Sequence, residues 1–124
     1  MRKLTVPALW LSVDLALITA GTSAQAHALL DHASPGVGSS IATAPPVLSL
    51  SFTQELEPAF TNVTVTNEAG QRVDLGNTQV PPGTPTELRV GLPPLPPGTY
   101  TVRWRVVSVD THPTEGHFQF TIGR

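Results

Sequence analysis

The chain has 124 residues, enough for one small domain with a single core, and its seven lysines and arginines against nine carboxylates exclude the basic footprint of a nucleic-acid binder. It has no cysteine, which excludes a disulfide framework, a thiolate nucleophile and a blue-copper centre. Its one methionine, Met1, lies in a segment that reads as a leader, so no thioether site for Cu(I) is expected either.

The first predicted element is a leader. Arg2 and Lys3 precede a largely apolar stretch from Ala8 to Ala20, interrupted by Asp14, and Ala24-Gln25-Ala26 forms an A-x-A cleavage box. The stretch falls short of the roughly 20 apolar residues that a membrane-spanning helix needs. The pattern predicts a signal peptide over residues 1–26, cut between Ala26 and His27, and a soluble periplasmic or secreted domain over residues 27–124. Cleavage leaves five arginines and eight carboxylates, a net charge of −3, and no lysine.

The rest of the chain reads as β. Val47 to Phe52, Val63 to Thr66 and Phe118 to Ile122 alternate apolar and polar residues, the mark of strands with one buried face. Asn67-Glu68-Ala69-Gly70 is predicted to join Val63–Thr66 to a return strand at Arg72–Leu75, and Glu87–Leu92 reads as another strand. Proline and glycine clusters at 45–46, 81–83, 93–94 and 96–98 mark turns and rule out helix interiors. In the strongest strand, Gly98–Ser108, the residues Tyr100, Val102, Trp104 and Val106 share one face, with Trp104 as core anchor and Arg103 and Arg105 outside. About seven short strands with regular turns predict an all-β, Greek-key sandwich or barrel, immunoglobulin-like or cupredoxin-like.

The chemistry concentrates at two places. If the leader is cut after Ala26, His27 becomes the amino terminus, and its α-amine and imidazole Nδ1 can chelate one metal ion. Amine and imidazole nitrogens suit the tetragonal geometry of Cu(II). Downstream, Asp110-Thr111-His112-Pro113 offers a carboxylate and a second imidazole at alternate positions, which an extended backbone would present on one side, with Pro113 biasing the residue before it towards that conformation. The competing reading is that Asp110 and Thr111 merely begin a turn.

Several segments together resemble one family. They are His27-Ala28-Leu29 at the expected mature start, Ser34-Pro35, Ala44-Pro45 ahead of Leu48–Phe52, the long block Gly98 to Pro113, and Gly116 to Phe120. The chain resembles CopC-type periplasmic copper-binding proteins over essentially the whole domain. The resemblance implies a β-sandwich that binds copper in copper resistance, homeostasis or import, with one Cu(II) held by His27, Asp110 and His112. It also implies a CopD-type inner-membrane copper transporter as delivery partner. Some relatives place a carboxylate after the Phe-Ser pair of the early strand. Here Phe52-Thr53 is followed by Gln54, and Glu55 falls on the opposite side if strand alternation continues, so both stay outside the metal set. The methionine-rich Cu(I) site of some relatives is absent.

The remaining polar residues have plainer expectations. His32 reads as a loop residue and an outer ligand at most; His117, alternating with Phe118 and Phe120, is expected to face solvent. Arg103 and Arg105 could hydrogen-bond a ligand carboxylate, although exposed strand arginines usually do nothing so specific. A carrier or buffer, not an enzyme, uses every unusual feature. The alternatives are an oxidase built on the same amino-terminal histidine chelate and a metal-free adhesion or assembly module.

Overall fold

The structure, a computed structural model, describes residues 28–123. Seven strands occur among them: β1 (Leu30–Ser34), β2 (Ser40–Ile41), β3 (Val47–Phe52), β4 (Asn62–Thr66), β5 (Glu87–Gly91), β6 (Gly98–Val107) and β7 (Pro113–Ile122). A short 3-10 turn at Pro58–Phe60 precedes β4. The strands form a Greek-key sandwich of two sheets, ordered β1-β3-β5 and β2-β7-β6-β4. Every pairing is antiparallel except that of β2 with β7.

Period-2 patterning explains the core. Leu48, Leu50 and Phe52 of β3, with Leu88 and Val90 of β5, point inward against Val63 and Val65 of β4. From the same sheet as β4, Tyr100, Val102 and Val106 of β6 and Phe118, Phe120 and Ile122 of β7 complete the core. Tyr100 stacks on Phe120 at 5.6 Å between ring centroids and donates its hydroxyl to the Pro96 carbonyl at 2.6 Å, so its polar end is satisfied without leaving the core.

Two expectations need correcting. Trp104 faces inward as predicted but is only partly buried. It packs edge-on against Phe52 at 5.1 Å, over Gly116, where a Cβ would come within 2.6 Å of the indole. The expected return strand at Arg72–Leu75 does not form. The turn at Asn67–Gly70 closes, but the Asp74 carboxylate takes the Val65 N–H at 2.8 Å in place of a ladder carbonyl. Leu75 N–H then donates to Gly91 O at 2.9 Å, so the segment ties β4 to β5 across the sandwich.

Chain direction changes sheet at every step except the last. Only β6 and β7 are consecutive neighbours in one sheet, paired over ten residues from Gly98↔Ile122 to Val107↔Pro113. Their connection, residues 108–112, carries both Asp110 and His112.

Candidate metal centre

The β6–β7 connection is a tight turn, not the extended segment expected from the sequence. Ser108 N–H donates to His112 O at 3.1 Å, and Thr111 N–H to Ser108 O at 2.8 Å. Thr111 closes the turn at φ 72°, a left-handed conformation that a β-branched residue rarely adopts. The turn brings the two candidate ligands together by another route than strand alternation: His112 Nδ1 lies 3.4 Å from Asp110 Oδ1, with both side chains about half exposed, at 50% and 47%. The buried Ser108 hydroxyl donates to the same Asp110 oxygen. That hydrogen bond, against a smaller opposing effect of desolvation and with His112 helping, holds the Asp110 carboxyl below the usual carboxylate range. Asp110 is therefore an anion, fixed from one side by Ser108.

Two other segments converge on this turn. Leu56 bridges Ser108, Val109 N–H donates to Glu55 O at 3.0 Å, and Glu57 N–H to Val107 O at 2.7 Å. β3 ends at Phe52, so strand alternation does not extend to Glu55. Its backbone braces the turn, and its side chain belongs to no metal-binding group among the described residues. The third segment is the start of the described chain. Ala28 is fully buried in the core, and its carbonyl accepts the Thr114 hydroxyl at 2.7 Å, two residues beyond His112. Leu29 is held twice by Thr53, through N–H to Oγ1 at 3.0 Å and Thr53 N–H to Leu29 O at 2.9 Å.

The three expected ligands are thus placed differently. Asp110 and His112 are adjacent. His27, like the predicted leader and its cleavage box, lies outside the described residues. Among the described residues no three His, Asp or Glu side chains gather to hold a metal. His32 is exposed and paired with Asp31 at 3.3 Å on β1, and His117 is exposed on the outer face of β7. Arg103 and Arg105 do not reach Asp110, whose hydrogen-bond partners are Ser108 and His112. Ser108 and Thr114 were missed by sequence reasoning. The Ser-x-Asp spacing is a local signal for the first, whereas nothing local links Thr114 to Ala28, 86 residues away.

The CopC domain family matches residues 30–123, from β1 to the end of β7. The chain belongs to the CopC family. Copper resistance protein C of Escherichia coli is 36% identical over 107 residues, covering 81% of this chain and 84% of that protein. The copper transport protein CutJ of Bacillus subtilis is 32% identical over 116 residues, 93% of this chain but 21% of its own length. The crystal structure of CopC from Methylosinus trichosporium is similar at a TM-score of 0.73 and 32% identity, covering 77% of this chain and 93% of that one. Membership fits the β-sandwich and the resemblance noted in the sequence, and none of the described helical turns is long or apolar enough to cross a membrane.

Proposed function

We propose that this CopC-family protein is a periplasmic copper carrier or buffer, serving copper resistance, homeostasis or import, that holds one Cu(II) per chain on His27, Asp110 and His112. The observation that carries the reading is the bond from Thr114 to Ala28. It fixes the residue immediately after the proposed mature start beside the strand that leaves His112, within one residue of where the amino-terminal chelate has to be. Cleavage between Ala26 and His27 supplies the amine, and His27 then offers two nitrogens, His112 a third and Asp110 an anionic oxygen. That donor set favours Cu(II), and the carboxylate stabilises Cu(II) against reduction, which suits holding the ion more than oxidative turnover.

The surrounding residues prepare the site. Ser108 keeps Asp110 oriented and ionised, the turn keeps His112 beside it, and Thr53 and Thr114 keep the first described residues docked. In this reading delivery goes to a CopD-type membrane transporter. A copper transport protein with a segment matching this chain over 21% of its length is in keeping with that pairing.

The test is intact mass of the protein recovered from the periplasm, with and without one equivalent of Cu(II), beside its EPR spectrum. The expected result is a chain beginning at His27 that holds one copper with a nitrogen-rich tetragonal signal, lost in His27→Ala and His112→Ala. A chain that begins elsewhere, or one beginning at His27 that takes up no copper, overturns the reading.

A further inference from the structure

The arginines of the domain are partnered unequally. Arg72 is bound to Asp74 at 2.9 Å and Arg89 to Glu87 at 2.7 Å. Arg103 and Arg105 are exposed and make no ion pair among the described residues. They stand at alternate positions of β6 on the outer face of the four-stranded sheet, about 7 Å apart along the strand. Across the ladder Arg103 is flanked by Thr64 of β4 and His117 of β7, and Arg105 by Asn62 and Glu115. These six residues line a shallow depression of about 420 Å³.

Neither guanidinium is ion-paired among the described residues, although Glu115 stands across the ladder from Arg105, and exposed strand positions take threonine or valine more readily than arginine. The patch also stands out against a domain whose net charge past residue 26 is −3. Asn62, Thr64 and His117 add hydrogen-bonding groups around the charges, and guanidinium forks match carboxylates in paired, two-point contacts. The location adds a further constraint. Arg105 lies two residues before Val107, where the β6–β7 ladder gives way to the turn bearing Asp110 and His112.

We propose that the outer face of β4, β6 and β7 docks an acidic segment of a protein partner, with Arg103 and Arg105 each gripping a carboxylate. A partner seated there lies alongside the Asp110–His112 turn. That such a partner exchanges copper with the turn rests on the function proposed above, whereas the docking does not, so the test uses copper-free protein and the two can fail separately.

The probe is a hexaglutamate peptide with blocked ends, titrated into isotopically labelled copper-free protein and followed by amide chemical shifts. Shifts are expected on outer-face positions of β4, β6 and β7, with affinity falling about tenfold between low and physiological salt, as screening of exposed charges requires. Arg103→Gln with Arg105→Gln is expected to weaken binding about tenfold and each single variant about threefold, while Arg89→Gln on the other sheet leaves it within about twofold. Absent binding, shifts centred on another face, or insensitivity to both substitutions overturns the proposal. Citrate binding as tightly as the peptide would instead mark a site for free carboxylates, and sedimentation showing a dimer through this face would make the occupant a second copy; either result also overturns it.

Discussion

Thr114→Val tests how the amino-terminal segment is delivered to the turn. The substitution keeps the shape of a partly buried side chain and removes one hydroxyl, the donor to Ala28 O at 2.7 Å. A neutral hydrogen bond contributes about 1 kcal/mol net, and stranding a buried carbonyl adds to the loss, so the expected destabilisation is about 1–2 kcal/mol. For a domain of this size that lowers Tm by roughly 4–8 °C per kcal/mol. The mutual pair between Leu29 and Thr53 and the pairing of Leu30 with Phe52 remain, so the segment stays docked on one side and the protein stays folded. If the anchor also positions His27 for copper, the same free energy appears in binding, and Cu(II) affinity falls by about fivefold to thirtyfold at most. Competition against a Cu(II) chelator gives the affinity. Trp104, the only tryptophan after residue 26, offers an intrinsic fluorescence signal, and Thr114→Ser should restore both quantities. A variant that melts earlier yet binds Cu(II) within twofold of the parent would refute the link between the Ala28 anchor and the metal.

Asp74→Ala should destabilise the fold by about 2–4 kcal/mol in a urea titration, because the fully buried carboxylate accepts from Val65 N–H, Gly76 N–H and the Arg72 guanidinium at once. Burial pushes the Asp74 carboxyl up, but Arg72 and the two backbone donors together hold it below its ordinary value. A depressed folded-state pKa stabilises above the unfolded value near 3.9, so this contribution is fully present at neutral pH and is lost as pH falls below about 4; a stability profile that is flat there for the parent would contradict the assignment. Gly116→Ala drives a Cβ to 2.6 Å from the Trp104 indole and should cost about 1–3 kcal/mol, with a shift in tryptophan emission; unchanged emission and midpoint would mean that the ring moves aside freely. Asp110→Asn should weaken Cu(II) binding at least about tenfold while making the bound ion easier to reduce with ascorbate. Sustained substrate oxidation by the copper-loaded parent with ascorbate and peroxide would favour the oxidase alternative instead.

The strands were legible because alternation reports a sheet with one buried face, and Val47–Phe52 and Gly98–Val107 follow it almost residue by residue. The alternation of Arg72–Leu75 is genuine, but its pairing with β4 stops after one bridge, Thr66 to Arg72, and the bond from Val73 N–H to Val65 O. Asp74 meets the donor on β4 with a side chain, and periodicity does not distinguish a carboxylate from a ladder carbonyl. The turn at residues 108–112 was misread for a similar reason. A β-branched Thr111 argues locally for extended backbone, and only the closing pair Ser108 and His112, set by the full β6–β7 register, forces the left-handed conformation. Asp110 and His112 do come together, but through this turn and not through strand alternation. Trp104 was placed on the correct face, but its depth depends on Gly116 and Phe52, which lie on other strands.

The arrangement divides the proposed site into a rigid half and a tethered half. Asp110 and His112 sit on a turn closed by a ten-residue ladder and braced by the backbone of Glu55, so their separation is set before any metal arrives. The segment carrying Ala28, which becomes the end of the chain under the proposed cleavage, is instead tied down by two threonines and one buried methyl. The core is built from apolar side chains such as Leu48, Leu50, Val102 and Phe120 and includes neither Asp110 nor His112, in contrast to a zinc finger, whose metal stands in for a core. A bound ion would join the tethered half to the rigid one and stabilise the native state by mass action only. Under the proposed function, release would need no unfolding of the sandwich, since loosening residues 28 and 29 from Thr114 and Thr53 would withdraw the His27 donors. A carrier that must hold copper and yet surrender it gains from that division, because the strength of the grip can be tuned at Thr53 and Thr114 without disturbing the ligands themselves.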